Sequence, residues 1–160
     1  MSNSKFIEAN LYKKIIEVLP ILTIDLLVFD KFSKKHIQVK RSNPPLKNTF
    51  MTPGGRILKG EKSINAAQRK CLEEIGINIP ASEWVFVGFF ETDFKDSHFD
   101  LSCSTHTLSV IFASRLMIDS NLIKLDDQSS DWGLFDSLPE AILNSGHLLP
   151  SNSIKSFLHS

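Results

Sequence analysis

Apolar positions along the chain change period several times, and each change marks an element. Over residues 5–18, Phe6, Ile7, Leu11, Ile15 and Val18 fall about 3.6 apart, which predicts an amphipathic helix ended by Pro20. Its apolar face calls for cover from a sheet or a second subunit. Residues 21–29, Ile-Leu-Thr-Ile-Asp-Leu-Leu-Val-Phe, are almost continuously apolar and too short to span a membrane, the pattern of a central strand. Asp25 interrupts that run, and a carboxylate there needs a partner or a polar cleft.

Residues 36–41 alternate as a half-buried strand does, with a hairpin connection before them and the breaker Asn43-Pro-Pro after. A short strand around Phe50-Met51 and a turn at Pro53-Gly54-Gly55 follow; glycines permit close approach of a ligand. Residues 63–75 read as a helix with Ser63 as its N-cap and Gly76 at its C-terminal stop. Further strands are expected at 84–90, 107–112 and 131–135, and short helices at 138–143 and 151–158. The polar loop over 93–104 is long enough to carry function. No repeat or low-complexity linker divides the chain, so residues 1–160 read as one α+β domain.

Composition narrows the function. Eighteen Lys and Arg balance eighteen Asp and Glu, so no net field favours nucleic acid or an anionic membrane. Two cysteines without CxxC spacing argue against a zinc site or a disulfide scaffold. No signal peptide is visible and no stretch reaches about 18 apolar residues. The expectation is a cytoplasmic protein without membrane or nucleic-acid partners.

The chemistry lies in Gly55-Arg-Ile-Leu-Lys-Gly-Glu61, seven further residues, then Arg69-Lys-Cys-Leu-Glu73-Glu74-Ile-Gly76. Arg69 and Glu73 are four apart, as are Lys70 and Glu74, so each pair can meet on the helix surface. Alone, such a segment is more often a solvated helix face. Behind a glycine turn, its carboxylates and carbonyls suit a hard divalent cation beside a diphosphate.

The segment resembles the Nudix box, built on Gly55, Glu61, Arg69, Glu73, Glu74 and Gly76. Lys70 stands where that pattern has Glu, and Cys71 fills an aliphatic position as a small hydrophobe. Beyond the box, residues 20–25, Lys40-Arg41-Ser-Asn-Pro-Pro, residues 50–56, Phe86-Val-Gly, Thr105-His106, Asn152-Ser153 and Phe157-Leu158 resemble the GDP-mannose mannosyl hydrolases, in the same order.

The resemblance implies an α/β/α sandwich with a mixed sheet, a homodimer, and release of GDP and sugar by substitution at the anomeric carbon. It implies that Gly54 through its carbonyl, Glu74 and Gln128 hold Mg²⁺, with Mn²⁺ as the alternative ion. Lys70 adds positive charge, which disfavours several clustered metals and points to one. Arg41 would stabilise the leaving GDP, and Arg56 and Arg69 the diphosphate, with ion pairing as the alternative role for each arginine. Asp25 would lie near the bound substrate, Glu74 would take part in catalysis, and His106 would contact substrate.

Two positions depart from that group. Ser129 stands where its general-base histidine follows Asp-Glu-Gln, and a hydroxyl is far too weak a base to replace imidazole. Thr107 stands where a leaving-group tyrosine is found. Replacement bases would be His98, His106, His147, Asp127 or Asp131. The competing functions are attack at phosphorus with Glu73 or Glu74 as base, and a nucleotide-sugar binding module without turnover.

Overall fold

A computed structural model of the chain describes residues 7–95, 97 and 104–149. The apolar run forms the central strand β1 (Ile21–Asp30). Ile24, Leu26 and Val28 enter one core, while Leu27 and Phe29 enter a second. Side chains alternate across a strand, so burial on both faces produces the continuous apolar sequence.

β1 runs parallel to β6 (Thr105–Leu116), which is antiparallel to β5 (Val85–Phe94). On its other side lies β2 (His36–Arg41), flanked by β3 (Phe50–Met51) and β7 (Ser129–Phe135), while β8 (Gly146–Leu149) borders β5. Helix α1 (Ala9–Val18) precedes β1. Helix α2 (Ser63–Ile75) covers the first core through Ala66, Ala67, Cys71 and Ile75, and Ile142 of α3 (Glu140–Ser145) enters the second. Helices on both faces of a mixed sheet give the α+β sandwich expected from the sequence. Cys71 is fully buried, and burial pushes its thiol up to about 12, so it acts as the small hydrophobe its position needs.

The sheet forks beside β1, and the fork places the site. β1 meets β2 at Phe29 and His36, but at Thr23, Ile24 and Asp25 it pairs instead with β4 (Gly54–Arg56). The segment over 50–56 crosses between the branches, pairing first with β2 at Val39 and Lys40 and then with β1. The Leu26 N–H donates to the Pro53 carbonyl at 2.9 Å, tying the crossing down. Gly54 must be glycine here, because a Cβ would overlap the Ile24 carbonyl oxygen.

Several expectations change. Gly54 and Gly55, read with Pro53 as a turn, belong instead to a strand over 54–56, because β1's open edge needs partners for its backbone groups. Ser63 is the first helical residue and not the cap; Lys62 takes that place without a side-chain cap bond. Gly76 does end the helix, at φ +76°. β5 and β6 outrun their predicted ends, β7 begins at Ser129, and β8 carries no sequence signal. The helix expected at 151–158 and most of the loop over 93–104 lie outside the described residues.

Candidate active site

Beside the fork lies a cleft of about 970 Å³. Its floor comes from strand faces: Thr23 and Asp25 of β1, Thr107 and Ser109 of β6, and Thr92 of β5. These share a face by the period-two alternation of strands. Their hydroxyls bond one another, Thr23 to Ser109 and Thr92 to Thr107, the latter at 2.6 Å.

Asp25 accepts a 2.6 Å hydrogen bond from the Thr52 hydroxyl. Burial pushes its carboxyl above the usual range, opposed by hydrogen bonds from Ser109 and Thr52 and by the charge of Arg41. Arg41, at the end of β2, donates through Nε to the Pro45 carbonyl at 2.7 Å. Those contacts set its guanidinium at the cleft wall. Arg56 also lines the cleft, its guanidinium 5.2 Å from the Tyr12 ring centre of α1.

The box is organised by its own ion pairs. Arg69 contacts both oxygens of Glu61, at 2.7 and 2.8 Å, Glu73 at 3.1 Å and the Arg56 carbonyl at 3.2 Å. Glu61 also accepts the Leu58 N–H at 3.0 Å. These bonds tie the loop before α2 to the helix, so the ion-pair role weighed for Arg69 is the one its contacts describe. It also lines the cleft.

Glu74 accepts the Gly54 N–H at 3.0 Å and the Lys70 ammonium at 2.9 Å. Burial raises its pKa, Lys70 and the Gly54 N–H oppose that, and Asp126 adds to it. The loop before β7, which also lines the cleft, is held by the Ser42 N–H donating to the Gln128 carbonyl at 2.8 Å, and the Gln128 N–H donating to Asp126 Oδ1 at 3.1 Å.

The structure therefore brings Asp25, Arg41, Gly54, Gly55, Arg56, Arg69, Glu73, Glu74 and Gln128 to one cleft. Glu61 and Gly76 shape the box around it. His106 is different. It lies on β6 between the cleft-facing Thr105 and Thr107, so alternation turns it to the opposite face, where Nε2 meets Glu91 Oε1 at 2.9 Å. His106 therefore does not line this cleft.

Of the other base candidates, Asp127 and Asp131 do not line the cleft, whereas Ser129 does. Among the residues whose side chains are described no histidine lines it; His98 and the side chain of His147 lie outside them. Besides Asp25, Glu73 and Glu74, Asp126 also lines it, a residue that sequence reasoning passed over although it lies two residues from Gln128. Tyr12 was missed too, because a tyrosine on an amphipathic helix reads as packing.

The donor chemistry suits one hard cation. Among the described residues no three His, Cys, Asp or Glu side chains gather as a metal-binding group. Gly54, Glu74 and Gln128 line the same cleft, and oxygen donors of this mixed kind leave several positions for phosphate oxygens and water.

A family model described as the NUDIX domain matches residues 20–149. Among curated proteins, the chain is 24% identical over 125 residues to the low-salt glycan biosynthesis protein Agl8 of Haloferax volcanii, covering 78% of this chain and 76% of that one. Among solved structures, the NUDIX domain of Shewanella oneidensis NrtR, complexed with ADP ribose, superposes with a TM-score of 0.58 at 17% identity, covering 94% of each chain. A MutT/nudix family protein from Enterococcus faecalis gives a TM-score of 0.59 at 17% identity, covering 82% of this chain and 57% of that one. At those identities the two structures speak for the fold.

Proposed function

The chain belongs to the NUDIX family, and from that premise we propose that it is a Mg²⁺-dependent hydrolase of nucleotide sugars, acting on GDP-mannose to give GDP and mannose. The observation that carries the reading is the grouping of Arg41 and Arg56 with Glu74, Gly54 and Gln128 around one cleft. Two guanidiniums and a hard-cation donor set are what a diphosphate needs on its flanks. The likeness to Agl8, by name a glycan biosynthesis protein, supports a sugar-linked substrate.

In this reading Gly54, Glu74 and Gln128 would hold the metal, which would supply neutralisation of the diphosphate as a leaving group. Arg41 and Arg56 orient the diphosphate. Water attacks the anomeric carbon, the bond from that carbon to the diphosphate oxygen breaks, and its electron pair leaves with GDP. Asp126, the loop carboxylate lining the cleft, takes the water proton in place of the missing histidine. Asp25 faces the sugar end of the cleft and accepts a hydroxyl.

Ser129 at the cleft wall favours a second reading, a nucleotide-sugar binding module without turnover. Incubation with Mg²⁺ and GDP-mannose, followed by proton NMR of the anomeric region and phosphorus NMR of the nucleotide, separates the readings. GDP with β-mannose is expected. GMP with mannose 1-phosphate would move attack to phosphorus, and Mg²⁺-dependent binding without products would select the module.

A further inference from the structure

Glu74 is the one carboxylate in the proposed donor set, and both its oxygens are engaged. One accepts the Gly54 N–H at 3.0 Å; the other holds the Lys70 ammonium at 2.9 Å. The same ammonium lies 3.7 Å from Glu73, and only 17% of the Lys70 side chain is exposed.

The lysine reaches this place because Gly55 lets it. A Cβ at Gly55 would sit 2.8 Å from Lys70 Cε and 3.2 Å from Nζ, in a residue whose φ of +140° already disfavours a side chain. The glycine turn and the lysine stem thus fit together. The ammonium lines the same cleft as Arg41 and Arg56.

We propose that Lys70 is a tethered cation of the site, which holds Glu74 in the free protein and yields it to a divalent cation as a diphosphate arrives to receive the ammonium. The inference rests on the nucleotide-diphosphate reading of the cleft. A metal bonded to Glu74 Oε1 would stand next to an ammonium on the same oxygen, and like charges that close in a partly buried site repel strongly. Lys70 therefore limits metal binding until phosphate oxygens draw it aside. Once displaced, it adds a fixed positive charge beside the one metal, and the four methylenes of its stem supply the reach.

The test is titration calorimetry of metal-stripped protein with MnCl₂, without nucleotide. Lys70→Gln and Lys70→Met, the second retaining an apolar stem over Gly55, should each tighten Mn²⁺ binding about tenfold or more. Lys70→Arg, which keeps the charge, should stay as weak as the parent, and Lys59→Gln, exposed and outside the cleft, should change nothing. Equal affinities for the parent, Lys70→Gln and Lys70→Met would overturn the proposal, as would equal tightening by Lys59→Gln or no Mn²⁺ binding by any form. Turnover of GDP-mannose is read separately. Lost tightening with turnover intact removes the lysine's role alone, whereas tightening without turnover removes the hydrolase reading alone.

Discussion

At Asp25 the requirements of folding and of the proposed chemistry oppose each other. Its carboxyl sits on a strand whose neighbours Ile24 and Leu26 are fully buried, and burial raises its pKa despite Thr52, Ser109 and Arg41. A folded-state pKa raised above the unfolded value means that the ionised form costs stability. That cost is full above the folded value, shrinks as pH falls through it, and is gone once pH drops below the unfolded value, where both states are neutral. Asp25→Asn keeps the shape without the charge. In metal-free protein its melting temperature should exceed the parent's at pH 8 and converge with it near pH 4, while GDP-mannose turnover falls at least tenfold. Calorimetric scans at both pH values check the first half, and a variant less stable at pH 8 would show that Arg41 outweighs burial. Asp25 was legible beforehand because a lone carboxylate in an apolar run is a physical anomaly. The facing of His106 was not legible, for an equally physical reason: a motif gives the residue but not the face, and facing follows from the register that sets Thr105, Thr107 and Ser109 over the cleft.

Elements show the same division. β1 and α2 were readable because each carries its burial pattern within itself. β4 was not, since two glycines and an arginine have no strand pattern; pairing with β1 alone makes them a strand. The β1–β2 connection carries a further consequence. His36 opens β2, fully buried, with its ring 5.4 Å from that of Phe29. The Gln38 amide donates to the Ser137 carbonyl at 2.7 Å and contacts His36 Nε2 at 3.1 Å, an arrangement that requires that nitrogen unprotonated. Burial lowers the His36 pKa to about 4. An unfolded histidine titrates near 6.5, so between these values the unfolded chain binds the proton and the folded chain does not. Stability should fall as pH drops below about 6.5, by about 2 kcal/mol at pH 5, and level off near pH 4. Urea midpoints of the parent and of His36→Gln at pH 7 and pH 5 measure it. The variant should lose less than the parent between the two pH values, and equal losses would place the acid sensitivity elsewhere.

For the whole molecule, α1 has an apolar arc only half covered among the described residues. Tyr12 and Ile15 pack with the buried Ile16 and Ile21, but Leu11 is 53% and Val18 74% exposed. Those two lie seven apart, hence on one side of the helix, bordering the covered half. The same helix supplies Tyr12 against Arg56, so whatever holds α1 also steadies one wall of the cleft. The homodimer implied by the sequence resemblance supplies a natural occupant, a second α1 in a self-complementary contact. Sedimentation velocity at micromolar protein should then give the mass of two chains, and Leu11→Glu with Val18→Glu should give one. Because Arg56 is placed through Tyr12, separation of the chains should raise KM for GDP-mannose more than it lowers kcat. A parent that sediments as a monomer would exclude the α1 contact, and a monomeric variant with unchanged KM would separate assembly from the cleft.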